Sequence, residues 1–312
     1  MTLIRKPHEI VVQPKIKAII YGQPGFGKTT LGLSAPKPLL IDCDGGVHRI
    51  NVAHRTDTLQ VSSYNEVLDV MHEDLSEYET IVIDTGGKLL DFMAQYVIAR
   101  NPKLGKQNGA LTLQGYGEVK QEFTAFCKLC TSKNKHLIFV AHRRTLTEGD
   151  DIRYVPLFGG SNYDSLVTEL DLVGYVEMNG NRRTITFNPS SRNDGKNTCN
   201  LPAVMELPVV VDAQGNGLPN TFLADSVIAP YLAYLHRSEE LHQQYLDVMG
   251  QIKEELEMVN DADTMNLFVA NINKFAHVGS SKAASKTLIT DKAKELGLVF
   301  NKQTKQYEQP AA

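Results

Sequence analysis

Residues 17–30 read Lys-Ala-Ile-Ile-Tyr-Gly-Gln-Pro-Gly-Phe-Gly-Lys-Thr-Thr, and no other part of the chain constrains its fold as tightly. An apolar, β-prone run enters a loop of form G-x-x-x-x-G-K-T, and a helical apolar pattern then begins with Leu31 and Leu33. Strand, glycine loop and helix in that order make a cradle for phosphate. The glycines turn successive backbone N–H groups inward, and the helix adds the positive end of its dipole. The spacing therefore predicts a nucleoside triphosphate held by Gly22, Gln23, Pro24, Gly25, Phe26, Gly27, Lys28, Thr29 and Thr30, with ATP and Mg²⁺ as the expected cofactors. Lys28 is expected at the β- and γ-phosphates, and the Thr29 hydroxyl on the metal.

Strands are expected at 16–21, 38–43, 58–62, 80–84, 136–141, 171–178 and 182–188, with a further one near 204–211. Helices are expected at 28–35, 63–75, 87–99, 116–133 and 161–169. Ser63 and Glu66 have the spacing of a capping box. The runs at 39–42, 81–83 and 137–141 are continuously apolar, which suits parallel strands covered on both faces. The fold class is thus α/β, a phosphate-loop core with a mainly parallel twisted sheet. After about residue 225 the pattern turns all-helical (229–236, 239–259, 261–275, 280–296), followed by a short polar tail. The expected division is a core over 1–224 and a helical region over 225–312. Six lysines face three acids from residue 279 onward, which a solvated helix face explains, with nucleic-acid or partner contact as the alternative.

The second half of a phosphate site is also legible. The apolar run Thr80–Ile83 ends in Asp84, and an aspartate at such a strand end holds Mg²⁺ in phosphate-loop enzymes. The run 136–141 ends in His142, a polar group in position to touch the γ-phosphate and report its loss. The strand after the loop helix ends Ile41-Asp42-Cys43-Asp44-Gly45, with two carboxylates where open α/β sheets bind ligands. One of them is expected to activate the attacking water. Asp44 is favoured, because alternation points Asp42 the same way but deeper into the sheet.

Net charge is −4, which excludes a wholly basic surface but not local basic loops. Four cysteines make no disulfide framework in 312 residues. Cys127 and Cys130 share a helical face with Val119 and Phe123, so two buried thiols explain the C-x-x-C spacing better than zinc or redox chemistry. No apolar stretch reaches the roughly 18 residues of a membrane span, and residues 1–7 lack the apolar centre of a signal peptide. A cytoplasmic location is expected, with no membrane partner.

From Lys17 to about Val176 the order of these parts resembles the RecA/RadA recombinase core. Asp42-Cys43-Asp44-Gly45 stands where that family carries a glutamate, and Phe158-Gly159-Gly160-Ser161 with Asp171-Leu172-Val173-Gly174-Tyr175 resembles the segment closing its second DNA loop. The compact form is most similar to phage RecA-like nucleotide-binding proteins, the Sak-type single-strand annealing ATPases. The resemblance covers about half the chain. It implies an ATPase acting on single-stranded DNA in phage recombination, in the host cytoplasm, assembled as a homo-oligomeric ring or filament, with a single-strand-binding protein as a further partner. Lys28, Asp44, Asp84 and His142 would then be its catalytic residues. Asp44 is one methylene shorter than the family glutamate, which implies slow or DNA-stimulated hydrolysis. DNA would contact loops at about 99–116 and 143–160, through Arg100, Lys103, Lys106, Arg143 and Arg144. Both loops are poor in the aromatics that stack on bases. One of Arg182, Arg183, Arg192 or Lys196 would reach a neighbouring subunit's γ-phosphate. Two other readings fit the same motif: an accessory ATPase or loader that meets DNA only through a partner, and a small-molecule kinase with Arg143-Arg144 in its lid.

Overall fold

The computed structural model describes residues 14–149, 151–159 and 163–310. Up to Ala233 these form one compact unit and from Tyr234 a second, nine residues beyond the expected division.

The first unit is built on one sheet. Its strands are β1 (Lys17–Gly22), β2 (Pro38–Asp42), β3 (Thr58–Gln60), β4 (Thr80–Asp84), β5 (His136–Glu148), β6 (Asp151–Pro156), β7 (Leu172–Asn179), β8 (Arg182–Thr186), β9 (Lys196–Asn197) and β10 (Met205–Glu206). They lie in the order β10-β8-β7-β1-β5-β4-β2-β3, and the run from β7 to β3 is parallel throughout. Parallel neighbours need crossovers, and helices supply them on both faces. Ile19, Tyr21, Ile41, Ile83 and Phe139 point to one face. There they pack with residues of α2 (Tyr64–Val70), α3 (Gly86–Arg100), α4 (Leu113–Ser132) and α5 (Tyr163–Val167). On the opposite face α1 (Lys28–Gly32) lies close: a Cβ at Gly32 would stand 3.1 Å from Val82. Covered on both sides, the central strands are buried at all but one position each and apolar through their middles.

Local signals set the helix starts. The Ser63 hydroxyl accepts from the Glu66 N–H, but the Glu66 carboxylate reaches back to the N–H and hydroxyl of Ser62 instead of completing the box on Ser63. Thr85 and Thr112 cap α3 and α4. Cys127 and Cys130 lie buried on α4. Burial pushes the Cys127 thiol up to about 12 and Cys130 well above its ordinary value, and no cluster of three metal-ligating side chains occurs among the described residues.

Three expectations need correction. The segment 143–160 is a β-hairpin over most of its length, because β5 continues to Glu148 and pairs with β6 from Arg143↔Pro156 to Glu148↔Asp151. Threonines alternating with Arg144 and Leu146 favour extended backbone, and Gly149 (φ +64°) makes the turn. Residues 160–162, part of the Gly-Gly-Ser segment, lie outside the described residues. In the 99–116 segment Leu104 and Leu111 are buried, Gly105 bridges Leu111, and α4 begins at Leu113. Finally, α6 (Ala229–Glu257) is one helix where two were expected. Ser238 does not break it, because its hydroxyl donates to the Tyr234 carbonyl one turn back at 2.9 Å.

The second unit has its own core. Val248, Ile252 and Leu256 of α6 meet Met265 and Phe268 of α7 (Ala262–Asn271) and Ile289 of α8 (Ser281–Glu295). The polar tail is a hairpin, β11 (Val299–Asn301) with β12 (Gln306–Glu308), and Asn266 clamps it by two hydrogen bonds to the backbone of Tyr307.

Candidate nucleotide site

The site forms where β1 ends. Gly22 allows β1 to approach β7, since a Cβ there would stand 2.5 Å from the Val176 carbonyl oxygen. Gly25 and Gly27 take φ of +82° and +72°, the left-handed region that turns N–H groups into the loop. Lys28 follows, 6 % exposed, with its ammonium donating to the Gln23 carbonyl across the loop at 2.7 Å. Burial pulls its pKa down to about 8, and the Asp84 charge offsets part of that. The lysine thus spans the mouth of the loop with no carboxylate of the described residues in contact, a cation open to an anion.

The Thr29 hydroxyl donates to the Asp84 carboxylate at 2.5 Å. Burial raises the Asp84 pKa, the Thr29 bond opposes this, and Asp44 and Asp42 add to the rise. A hydroxyl and a carboxylate oxygen in contact beside a buried ammonium fit a hard divalent cation that shares its remaining positions with phosphate and water. Thr29 and Asp84 are the residues that would hold it. The Asp84–Thr85 peptide bond is cis.

The topology explains the juxtaposition. The strand β5 lies between β1 and β4, with Gly22↔His142 on one side and Asp84↔Val140 on the other. His142 therefore stands at the level of the loop and just beyond the acid. Its Nδ1 is buried and has no hydrogen-bond partner among the described residues, an orphaned group that a ligand oxygen would satisfy.

The two carboxylates at the end of β2 separate by environment. Asp42, 2 % exposed, accepts from the N–H groups of Asp44, Gly46 and Val47 at 3.2, 3.0 and 3.0 Å, so its oxygens are spent on the turn. Asp44 is exposed and lines a cavity of about 560 Å³ together with Thr85, Lys88, Asp91, Tyr116 and His142. Of the pair, Asp44 is the one free to meet water.

The four basic residues expected near a neighbouring subunit's γ-phosphate have separate surroundings, and Arg183 stands out among them. It lies against the chain's own phosphate loop, where a Cβ on Gly27 would meet its Nη1 at 2.5 Å. Arg182 pairs with Glu206, Arg192 lies over the Tyr154 ring, and Lys196 donates to the Leu170 carbonyl. Lys88 and Asp91, at the start of α3, were also missed. Their signal is weak, since a lysine and an acid on the first turns after a strand read as ordinary solvated residues.

The basic candidates are not brought together at the phosphate loop. Arg100 pairs with Glu122 at 2.9 Å and lies over the Tyr96 ring, while Lys103 and Lys106 are exposed. Arg143 is engaged within the fold: it donates to the Tyr175 hydroxyl at 3.1 Å and stacks 4.0 Å over Tyr154. Arg144 is exposed on the hairpin.

A mainly parallel sheet with a glycine loop after its central strand, and a Lys-Thr pair facing a strand-end aspartate, defines a P-loop nucleoside-triphosphate-binding fold. The sequence profile of the AAA domain family matches residues 14–199, well over half of the chain, and the protein belongs to that family of P-loop ATPases. No curated protein matches the chain significantly. No helix among the described residues is long and apolar enough to cross a membrane.

Proposed function

We propose that the protein is a RecA-like ATPase that assembles on single-stranded DNA and promotes annealing or strand pairing in phage recombination. In this reading Lys28 neutralises the β- and γ-phosphates of ATP, and Thr29 and Asp84 hold Mg²⁺, which when bound screens the phosphate charge. Asp44 orients the attacking water and takes its proton, while the His142 imidazole meets the terminal phosphate. Catalysis would be positioning and charge stabilisation, as in other phosphoryl transfers.

One observation carries the reading: β5 is continuous. The strand that bears His142 beside Gly22 runs unbroken into the exposed hairpin bearing Arg144. A nucleotide-dependent change at His142 and a contact at the hairpin would then share one rigid element, which is what coupling ATP to an extended polyanion requires.

The test is ATP hydrolysis by the purified chain with and without poly-dT. The expected result is turnover raised several-fold by poly-dT and abolished by Lys28→Ala. A Lys28→Ala variant with normal turnover would remove the site from consideration. Turnover indifferent to poly-dT would favour the second reading, an accessory ATPase or loader that acts through a partner. One observation supports that alternative. With Arg143 tied to Tyr154 and Tyr175 and Arg153 paired with Asp194, the hairpin offers little free positive charge. The same engagement of Arg143 argues against a kinase lid.

A further inference from the structure

The phosphate loop has a second wall that the family match does not cover. Residues 205–224 lie beyond the matched span 14–199, yet they are fastened along the flank of α1. The Leu207 N–H donates to the Arg183 carbonyl at 2.8 Å, and Arg183 Nη2 donates to the Pro208 carbonyl at 2.6 Å. Asn220 Nδ2 donates to the Thr30 carbonyl at 3.2 Å, and the Leu223 N–H to the Ser34 hydroxyl at 3.0 Å. The far side of the segment is anchored as well, the Val210 carbonyl lying 2.8 Å from His54 Nε2.

Two cavities adjoin along this wall, sharing Thr30 and Asn220. The one beside Gly27 is nearly filled by the Arg183 guanidinium and leaves only about 10 Å³. The next, between the 53–56 segment and residues 217–220, is an open groove of about 440 Å³. That volume is in the range of small-ligand sites. A phosphate chain seated on Gly27 and Thr30 would meet this groove along α1, because Thr30 lines both cavities.

We infer that Arg183 and residues 207–220 form the nucleoside side of the site, and that it accepts adenine and guanine alike. The inference rests on the nucleotide-site reading above. Arg183, held by Pro208 against Gly27, supplies a guanidinium to the phosphate oxygens nearest the ribose. Beyond it, Leu218 and Pro219 offer an apolar surface to the base. Guanine presents two adjacent donors, its N1–H and amino group, and selecting it requires a paired acceptor such as a carboxylate. Among the described residues lining either cavity there is no aspartate or glutamate. A site that does not engage the distinguishing hydrogen bonds rejects the analogue only weakly.

The test is equilibrium binding of Mg-ATP, Mg-GTP and Mg-tripolyphosphate to the full chain, by calorimetry, for wild type, Lys28→Ala, Arg183→Ala and Leu218→Trp. In the wild type ATP and GTP should bind within about ten-fold of each other, and both about ten-fold or more tighter than tripolyphosphate. Leu218→Trp, which narrows the groove, should remove most of the nucleotides' advantage and leave tripolyphosphate unchanged, a result that also shows the variant folded. Arg183→Ala should weaken all three by about ten-fold. Nucleotides binding no tighter than tripolyphosphate, or ATP affinity untouched by both groove variants, overturns the inference while Lys28-dependent binding stands. Binding indifferent to Lys28→Ala overturns the nucleotide site itself. A guanine or adenine preference beyond a hundred-fold overturns the claim of tolerance.

Discussion

Asp42 and Asp44 are two residues apart and chemically alike, and their surroundings give them opposite tasks. Three backbone N–H groups converge on Asp42, so Asp42→Ala should cost about 1–3 kcal/mol and lower the unfolding midpoint. Asp44→Ala removes an exposed group and should leave the midpoint nearly unchanged while turnover falls by about a hundred-fold or more. Thermal unfolding and ATPase assays on both variants check this pair of outcomes, and a swapped pattern would reassign the two roles. His136 carries a pH dependence. It is buried, its Nδ1 accepts from the Ile16 N–H at 3.1 Å, and burial lowers its pKa from 6.5 to about 4. The unfolded chain thus binds the proton more readily than the native one. The stabilising contribution is complete above pH 6.5 and is lost as pH falls toward 4, at up to about 1.4 kcal/mol per pH unit. Unfolding midpoints measured from pH 7 to 4 should show that decline, and His136→Asn should flatten it.

Single elements show how far sequence can be read. The strands β1, β4 and the first half of β5 were legible because burial on both faces demands apolar residues at each position. The loop was legible because left-handed glycines and Lys28 have few other uses. The second half of β5 was not, because Arg143-Arg144-Thr145 carries the same polar composition as a loop, and only cross-strand partners supplied by β6 make it extended. The neighbour of Arg183 was not legible for a related reason: which strand a residue sits on can be guessed, but which element faces it depends on sheet order. At the scale of β7 the register leaves no spare room. Gly174 pairs with Ile20, and a Cβ there would stand 2.7 Å from Phe187 and 2.8 Å from Ile185. Gly174→Ala should therefore destabilise by about 1–3 kcal/mol through overpacking. Denaturant titration reads this, and an unchanged midpoint would mean the Phe187 ring yields freely.

Among the described residues the sheet unit and the α6–α8 region each bury a hydrophobic core of their own. Calorimetry of the full chain should resolve two unfolding transitions, and Mg-ATP at a hundred times its Kd should raise only the one belonging to the sheet unit. The shift should be roughly 5–10 °C. A single transition that moves entire with nucleotide would mean the two cores melt as one. The unbroken β5 has a mechanical corollary. From His142 to Glu148 an extended strand covers about 20 Å, and backbone bonds between Tyr154 and residues Arg192 and Asp194 hold the two-stranded ribbon part-way along. Under the proposed function, a displacement of His142 on losing a phosphate would be passed along this ribbon to that anchor instead of being absorbed at a hinge.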